Sequence, residues 1–559
     1  MASFPHLPRE LQQNILDHLV VDKTNLTLDD RKRLLSPMRV NSFWFHHCAD
    51  ILWSHLSNLE STFAQMGFDE ERRQLYVSKI RILDLHSARL YFDLIENLKF
   101  SSLTYLKLRG PHTGILPFLQ PNLKFVQFHG TFNSTRRELD QMVKLCPNLH
   151  ELQIAPSRDC LDRSVIAKPN LDPADPESFS RFIRGCQQIR RLTIGNRLPT
   201  SLVCAAVAGI QPLIARQFEE LVLSQVDTAA LSHDLFNFLD ACGSLRKFEL
   251  RDSSGDQNFM YMLLSRLADL TDLRHLRLDQ DLQDDVVDKV LQGRDTPFQN
   301  LQSLAIKGQM SPISDFVSLS MQSLTTLQLW VDDPAHHICP SLSRLKNLTY
   351  LNLVIGAVPY SRWTSDSRYM PGPKDWQATS EDIFALSALS NLHSLIIQPS
   401  GINLTAPWLT DDLFVQWMNS FSHLKHLEIN LECPVALSGI VAFSNSHPHL
   451  QTFKFMSILT IDNRIDLPSP NFLDLKQLKL YLDLQFSDDY AHSYMRNLSG
   501  NFIKTLSSLS TNDLRIESAT GDAYLPPDQI PNQSHVRVLD VRAVSRNGSW
   551  KGSFRPFSS

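Results

Sequence analysis

Not one C-x-x-C pair occurs in this 559-residue chain, although it holds eight cysteines. They stand apart at Cys48, Cys146, Cys160, Cys186, Cys204, Cys242, Cys339 and Cys433. A zinc finger or ribbon therefore has no ligand set to build on. Reduced thiols in an intracellular protein, cytoplasmic or nuclear, are the simplest expectation. Sequons such as those at Asn347 and Asn497 would then carry no glycan. Long apolar runs are missing as well. The nearest, Ser201 to Ala215, is interrupted by Gln211 and Pro212 and falls short of the ~20 residues a membrane span needs. The formal net charge of -5 leaves no basic excess for broad nucleic-acid binding. P-loop, G-x-G-x-x-G, G-x-S-x-G and H-E-x-x-H signatures are all absent. "HHC" at His46 and "HHIC" at His336 have no ligand cluster nearby in sequence. Neither a metal nor a cofactor is expected, and no cysteine has the setting of a reactive nucleophile.

What is present is a repeat. The template L-x-x-L-x-L, with aliphatic or Phe anchors, recurs from "IRILDL" at Ile80 and "LTYLKL" at Leu103 to "LKQLKL" at Leu475. The mean period, about 28 residues, lies within the range of leucine-rich repeats. "TNDLRI" from Thr511 reads as a degenerate copy and "VRVLDV" from Val536 as a last strand. The gaps after Ile154 and Leu353 are longer and leave open an insertion or a degenerate repeat. Three residues before the first anchor the chain is nearly always apolar, as at Phe100, Cys146, Cys186 and Cys242; Gln120 and His447 are the exceptions. That slot should close the convex-side helix and pack inside the coil, with cysteine acting as a small hydrophobe.

One strand plus one helix cannot bury its own apolar face, whereas stacked copies share a continuous core. The expected fold is therefore α/β: a curved leucine-rich-repeat solenoid over 79–543 with parallel strands on the concave face and helices on the convex face. Alternation along each strand turns the anchors inward and the intervening residues into the cavity. Tyr105, Lys107, Arg109, Arg251, Arg277, Trp330 and Tyr350 are the candidate substrate contacts, because aromatics and arginines dominate binding hot spots. Tyr360, Trp363, Tyr369 and Trp376, in the gap after Leu353, could clasp a partner over the rim or pack back on the coil.

The N-terminus is different. In "FPHLPRELQQNILDHLV", Pro8 suits a first helical position, and Leu11, Ile15, Leu16 and Leu19 share one side of the helix. Leu7 before it offers no side-chain cap. Farther on, "LLSPMRVNSFWFHHCADILW" repeats Val40, Trp44, Cys48 and Leu52 four residues apart, followed by Trp53. This ordered set, with Glu10, Leu34 and Leu35, resembles an F-box over roughly residues 4–56. The segment from Val20 to Arg33 is longer than that pattern allows. With the repeats, the chain resembles an F-box/leucine-rich-repeat protein. The resemblance implies a three-helix F-box (1–57), a linker that could be helical (58–78), the solenoid, and a flexible tail (544–559). It implies docking on a Skp-type adaptor through Leu7, Pro8, Leu11, Ile15, Leu16, Val40 and Leu52, and through the adaptor on cullin and RING subunits of an SCF ubiquitin ligase. The repeats would hold an unknown protein substrate, and the chain itself would not be an enzyme. Two alternatives stay open: a non-proteolytic scaffold, and a small-anion sensor whose Lys107, Arg109, Arg251 and Arg277 grip the ligand as co-receptor.

Overall fold

The structure is a computed structural model that describes residues 8–18, 28–56, 69–85, 95, 97–109, 115–129, 134–155, 175–195, 198–224, 226–251, 253, 256–292, 294, 297–318, 321–331, 338–356, 375–400, 402–459, 474, 477–482, 514–518 and 537–543. The chain divides into two compact units, Met1–Leu273 and Arg274–Ser559.

The first unit opens with α1 (Arg9–His18), α2 (Leu28–Leu35), a 3-10 turn (Pro37–Arg39) and α3 (Ser42–Ser54). Asn41 starts α3 by accepting the Trp44 N–H at 2.8 Å. Val40 therefore precedes the helix, and the four-residue spacing from Val40 to Leu52 is not one helical stripe. Leu34, Trp44, Cys48 and Ile51 close a small core, with Met38, Phe43 and Leu52 packed against it.

α3 runs straight into β1 (His55–Leu56), and α4 (Glu70–Val77) follows within the segment expected to be a linker. β1 pairs parallel with β2 (Ile82–Leu85), His55 against Ile82 and Leu56 against Leu83. The boundary expected at residue 57 thus falls after a strand that already belongs to the sheet. β3 (Tyr105–Arg109), β4 (Phe125–His129), β5 (Glu151–Ala155), β6 (Arg191–Ile194), β7 (Glu220–Ser224) and β8 (Lys247–Arg251) each pair parallel with the strand before. Helices such as Arg136–Leu145, Pro176–Gly185 and Thr228–Ala241 connect them.

The second unit holds β9 (His275–Leu282), β10 (Ser303–Gly308), β11 (Thr326–Val331), β12 (Tyr350–Ile355), β13 (Asp375–Gln377), β14 (Ser394–Pro399), β15 (Asn403–Thr405), β16 (His426–Ile429), β17 (Thr452–Leu459), β18 (Gln477–Leu482), β19 (Leu514–Ser518) and β20 (Arg537–Ala543). β9, β10, β11, β12, β14, β16, β17 and β18 form one parallel run. β13 and β15 make a separate parallel ladder. β20 pairs antiparallel with β18 and β19 antiparallel with β20. The degenerate copy expected at Thr511 is therefore not a further parallel repeat.

The architecture is an α/β leucine-rich-repeat solenoid. β5 pairs directly with β6, and β12 with β14, so both long gaps are insertions within a repeat. The anchors Leu106, Leu108, Leu152, Leu221, Leu327 and Leu351 are essentially inaccessible, each worth about 1.5–3 kcal/mol of apolar burial. β3 and β4 alternate half-exposed and buried along their length, as a half-buried strand should. The slot before the anchor is buried at Phe100, Cys146, Cys186, Cys242 and Phe421. Burial pushes the Cys146 thiol up to about 11 and the Cys186 and Cys242 thiols up to about 12, so all three stay protonated and apolar.

Candidate functional site

Two surfaces are candidates. The first is on the N-terminal helices. α1 packs on α3 through a polar side chain: Trp44 Nε1 donates to Gln12 Oε1 at 2.5 Å, and Gln12 is buried. Turning Gln12 inward turns Leu11 and Ile15 outward, at 49% and 37% exposure, and the same module also exposes Leu35 at 55% and Val40 at 47%. An amphipathic helix ordinarily does the reverse. Pro8 accepts the N–H groups of Leu11 and Gln12 at 3.1 Å each, which seats the first turn. Leu52 is half-buried against the small core. Leu7 lies outside the described residues, as does the side chain of Leu16. Sequence reading missed Gln12; its place among Leu11, Ile15 and Leu16 gave no hint that the polar side faces inward.

A seam joins this module to the repeats. Trp53 stacks on Tyr76 with centroids 4.3 Å apart, Lys79 Nζ meets Asp50 Oδ1 at 2.8 Å, and Arg81 N–H donates to Ser54 O at 2.9 Å.

The second surface is the open face of the sheet. In the first unit, Tyr105 stacks flat on Phe125 at 4.0 Å and its hydroxyl donates to Gln127 at 3.0 Å. Gln127 donates to Gln153 at 2.8 Å, and Gln153 to Glu151 at 2.7 Å. Arg191 bridges Glu151 at 3.3 Å to Glu219 and Glu220 at 3.5 Å. Lys247 reaches Glu249 at 3.2 Å, and Arg251 Nε donates to Glu249 at 2.6 Å. Burial would raise the Glu249 carboxyl, but Arg251 and Lys247 outweigh it and hold it below its ordinary value. At the other end Asp84 takes Arg109 bidentately at 3.0 and 2.8 Å and lies 3.9 Å from Lys107. His129, in register with Arg109, has its pKa lowered first by burial and then by Lys107 and Arg109, against the pull of Asp84.

In the second unit Arg277 gives Nε and a terminal nitrogen to Asp279, at 3.0 and 3.1 Å. Its guanidinium carbon sits 5.1 Å from the Trp330 ring centre. Lys307 pairs with Asp281 and Lys454 with Glu428, both at 2.8 Å. Burial pushes the Tyr350 phenol up, offset in part by a hydrogen bond from Gln328. Every lysine and arginine whose described side chain the strands turn outward thus has a carboxylate within 3.9 Å. The residues singled out from sequence are on this face. Alternation along the strands also turns Glu249 and Asp279 outward, but the ion pairs were not foreseen, nor was Asp84, which holds the same template position as Lys107.

Trp376 is buried in β13, while Tyr360, Trp363, Tyr369 and His336 lie outside the described residues. Among the described residues no cluster of three or more His, Cys, Asp or Glu could hold a metal, and no helix is long and apolar enough to cross a membrane.

No protein-family profile and no curated protein matches the sequence. Solved structures do. The yeast Rad7–Elc1 complex contains a chain that is 14% identical, with 84% of this chain and 95% of that one covered and a TM-score of 0.39. The internalin InlF of Listeria monocytogenes is 13% identical over 74% and 89%, with a TM-score of 0.34. A chain of the Drosophila Toll–Spatzle complex is 12% identical over 78% and 51%, with a TM-score of 0.33.

Proposed function

We propose that the chain is a protein-binding receptor subunit of an SCF-type cullin–RING ubiquitin ligase. Its N-terminal helices act as an F-box that docks a Skp-type adaptor, and its repeats hold the protein to be modified. The catalytic step belongs to the partner subunits. The observation that carries this reading is α1, which buries Gln12 and leaves Leu11 and Ile15 exposed, in a module that also exposes Leu35 and Val40. Large apolar side chains gathered on one small module mark a surface made for a partner. The opening motif and the order of F-box-like segment then repeats give that partner its chemistry. The carboxylate already bound to Arg109, Arg251 and Arg277 weighs against the anion-sensor alternative.

Co-purification tests it. Tagged full-length protein should recover a Skp-type adaptor together with a cullin, and Leu11→Asp/Ile15→Asp should recover neither. Adaptor without cullin would instead support the scaffold. Recovery of neither by the unaltered protein would overturn both readings.

A further inference from the structure

The open face of the second unit is not uniform, and its chemistry restricts what it takes. Register sets Trp330 of β11 beside Val354 of β12, and Asn352 of β12 beside Ile396 of β14. Trp330, Val354 and Ile396 are each half-exposed; Trp330 and Val354 are neighbours on strands ~4.8 Å apart and make an apolar patch, and Ile396 lies on the diagonal from Val354, whose in-register neighbour is Gln398. Ala305, between Arg277 and Gln328 in register, is small and buried. That gap lets the Arg277 guanidinium lie against the Trp330 ring. The polar groups in the middle are amides, Gln328 and Asn352. Charges stand only at the margins, and each is already neutralised: Arg277 by Asp279 and Lys307 by Asp281 on one side, Lys454 by Glu428 on the other.

We propose that this patch seats an uncharged, unphosphorylated stretch of polypeptide carrying at least one large apolar side chain. The inference rests on the reading that the repeats hold a protein partner. A phosphate or acidic motif is gripped by a guanidinium fork, whereas the Nε edge of Arg277 is already given bidentately to Asp279. Bringing a phosphate there would set it against that carboxylate, and like charges held together are unfavourable. An apolar side chain meets no such obstacle. It would cover the exposed indole, and the stacked guanidinium would hold that ring in place for it. The open face of the first unit differs: beside the stacked Tyr105 and Phe125, it carries amides and charges tied to one another.

The test uses the full-length chain and an array of immobilised random peptides about 12 residues long, enough to cross the strands from β9 to β14 at ~4.8 Å each. Each peptide is present plain and with phosphoserine substituted in. Bound peptides should be plain, close to neutral and share a large apolar residue. Raising salt from about 50 to about 300 mM should leave binding unchanged. Trp330→Ala and, separately, Val354→Asp should each weaken it about tenfold or more, while Lys289→Ala on the helix wall should not. Val354→Asp alters one solvent-facing side chain, so it remains informative if Trp330→Ala fails to fold. Adaptor capture by the same variants should persist, which separates failure of this proposal from failure of the N-terminal docking reading. Selection of phosphorylated or acidic peptides, salt-sensitive binding, binding that survives both variants, or no binding to the array would overturn it.

Discussion

The side-chain amide of Asn148 donates to the carbonyl oxygen of Pro121, one repeat earlier, at 2.9 Å. The same bond recurs from Asn122 to Ser101, Asn347 to Gln322 and Asn391 to Lys346. Gln217 makes it to Gln187, and the hydroxyls of Ser244 and Ser323 make it to Arg216 and Gln299. In each case the donor immediately precedes the first anchor, and the acceptor lies two residues before the preceding anchor. The ladder satisfies carbonyls that the turn into the strand would otherwise leave to water. Asn148→Ala should therefore cost about 1 kcal/mol of stability in denaturant unfolding. Asn148→Ser should cost less, because Ser244 and Ser323 already serve in that position. Equal losses for the two variants would show that the bond is not what matters there.

The N-terminal helices should respond to substitution in an unusual way. Leu11→Asp replaces a side chain that is half in solvent, so unfolding free energy should move by no more than about 0.5 kcal/mol. Trp44→Ala empties the small core and removes the Gln12 partner, so its loss should reach about 3–5 kcal/mol. If Leu11→Asp proved as costly as Trp44→Ala, α1 would be packed the ordinary way round.

His447 makes stability depend on acidity. It is buried, its Nε2 lies 3.0 Å from Phe421 O, and its ring packs on Phe443. Burial lowers its pKa against the opposing pull of backbone hydrogen bonds. The unfolded chain then takes up a proton on this residue before the folded chain does. Its contribution is complete above the ordinary value of 6.5 and is lost as pH falls from there through the lowered folded value. The melting temperature of the wild type should fall more steeply from about pH 8 to about pH 5 than that of His447→Phe. Phe suits the slot, since Phe421 fills the equivalent one, and the Leu424 N–H still covers the Phe421 carbonyl. Parallel curves would remove His447 as the cause.

Gly439 should resist replacement despite lying in the helix Leu437–Ser446. Alanine in a helix normally gains up to about 1 kcal/mol over glycine. Here a Cβ would come within 2.7 Å of Asp411 Oδ1, the atom that accepts the Ala436 N–H. Gly439→Ala should therefore destabilise, and Asp411→Ala/Gly439→Ala should lose little beyond Asp411→Ala alone. Chemical denaturation of the three variants decides it.

The repeat was legible because its signal is local: Leu103, Leu106 and Leu108 sit at fixed spacing, and one glance along the chain finds the next copy. The two polar residues in the otherwise apolar slot turn out to obey the same logic. Gln120 donates to Leu103 O at 2.9 Å, as His447 reaches Phe421 O, so each replaces contact with a bond to the preceding coil. Trp53 read as the end of the N-terminal motif, yet Leu56 pairs with Leu83 and opens the sheet; with only two residues in the strand, no template stands out. The open-face ion pairs were harder still. Arg277 and Asp279 are two apart on one strand, but Arg109 finds Asp84 across a strand boundary, and only register reveals that. Antiparallel pairing of β19 and β20 follows from long-range chain direction, to which a six-residue template is blind.

β1 is two residues long, but it occupies the flank of β2 that would otherwise be bare. A truncated protein beginning at residue 79, drawn to isolate the solenoid, would strip that cover and present β2's unpaired N–H and C=O groups to any passing strand. Such a fragment should self-associate, and the remedy is to begin the cut ahead of α3 rather than after it.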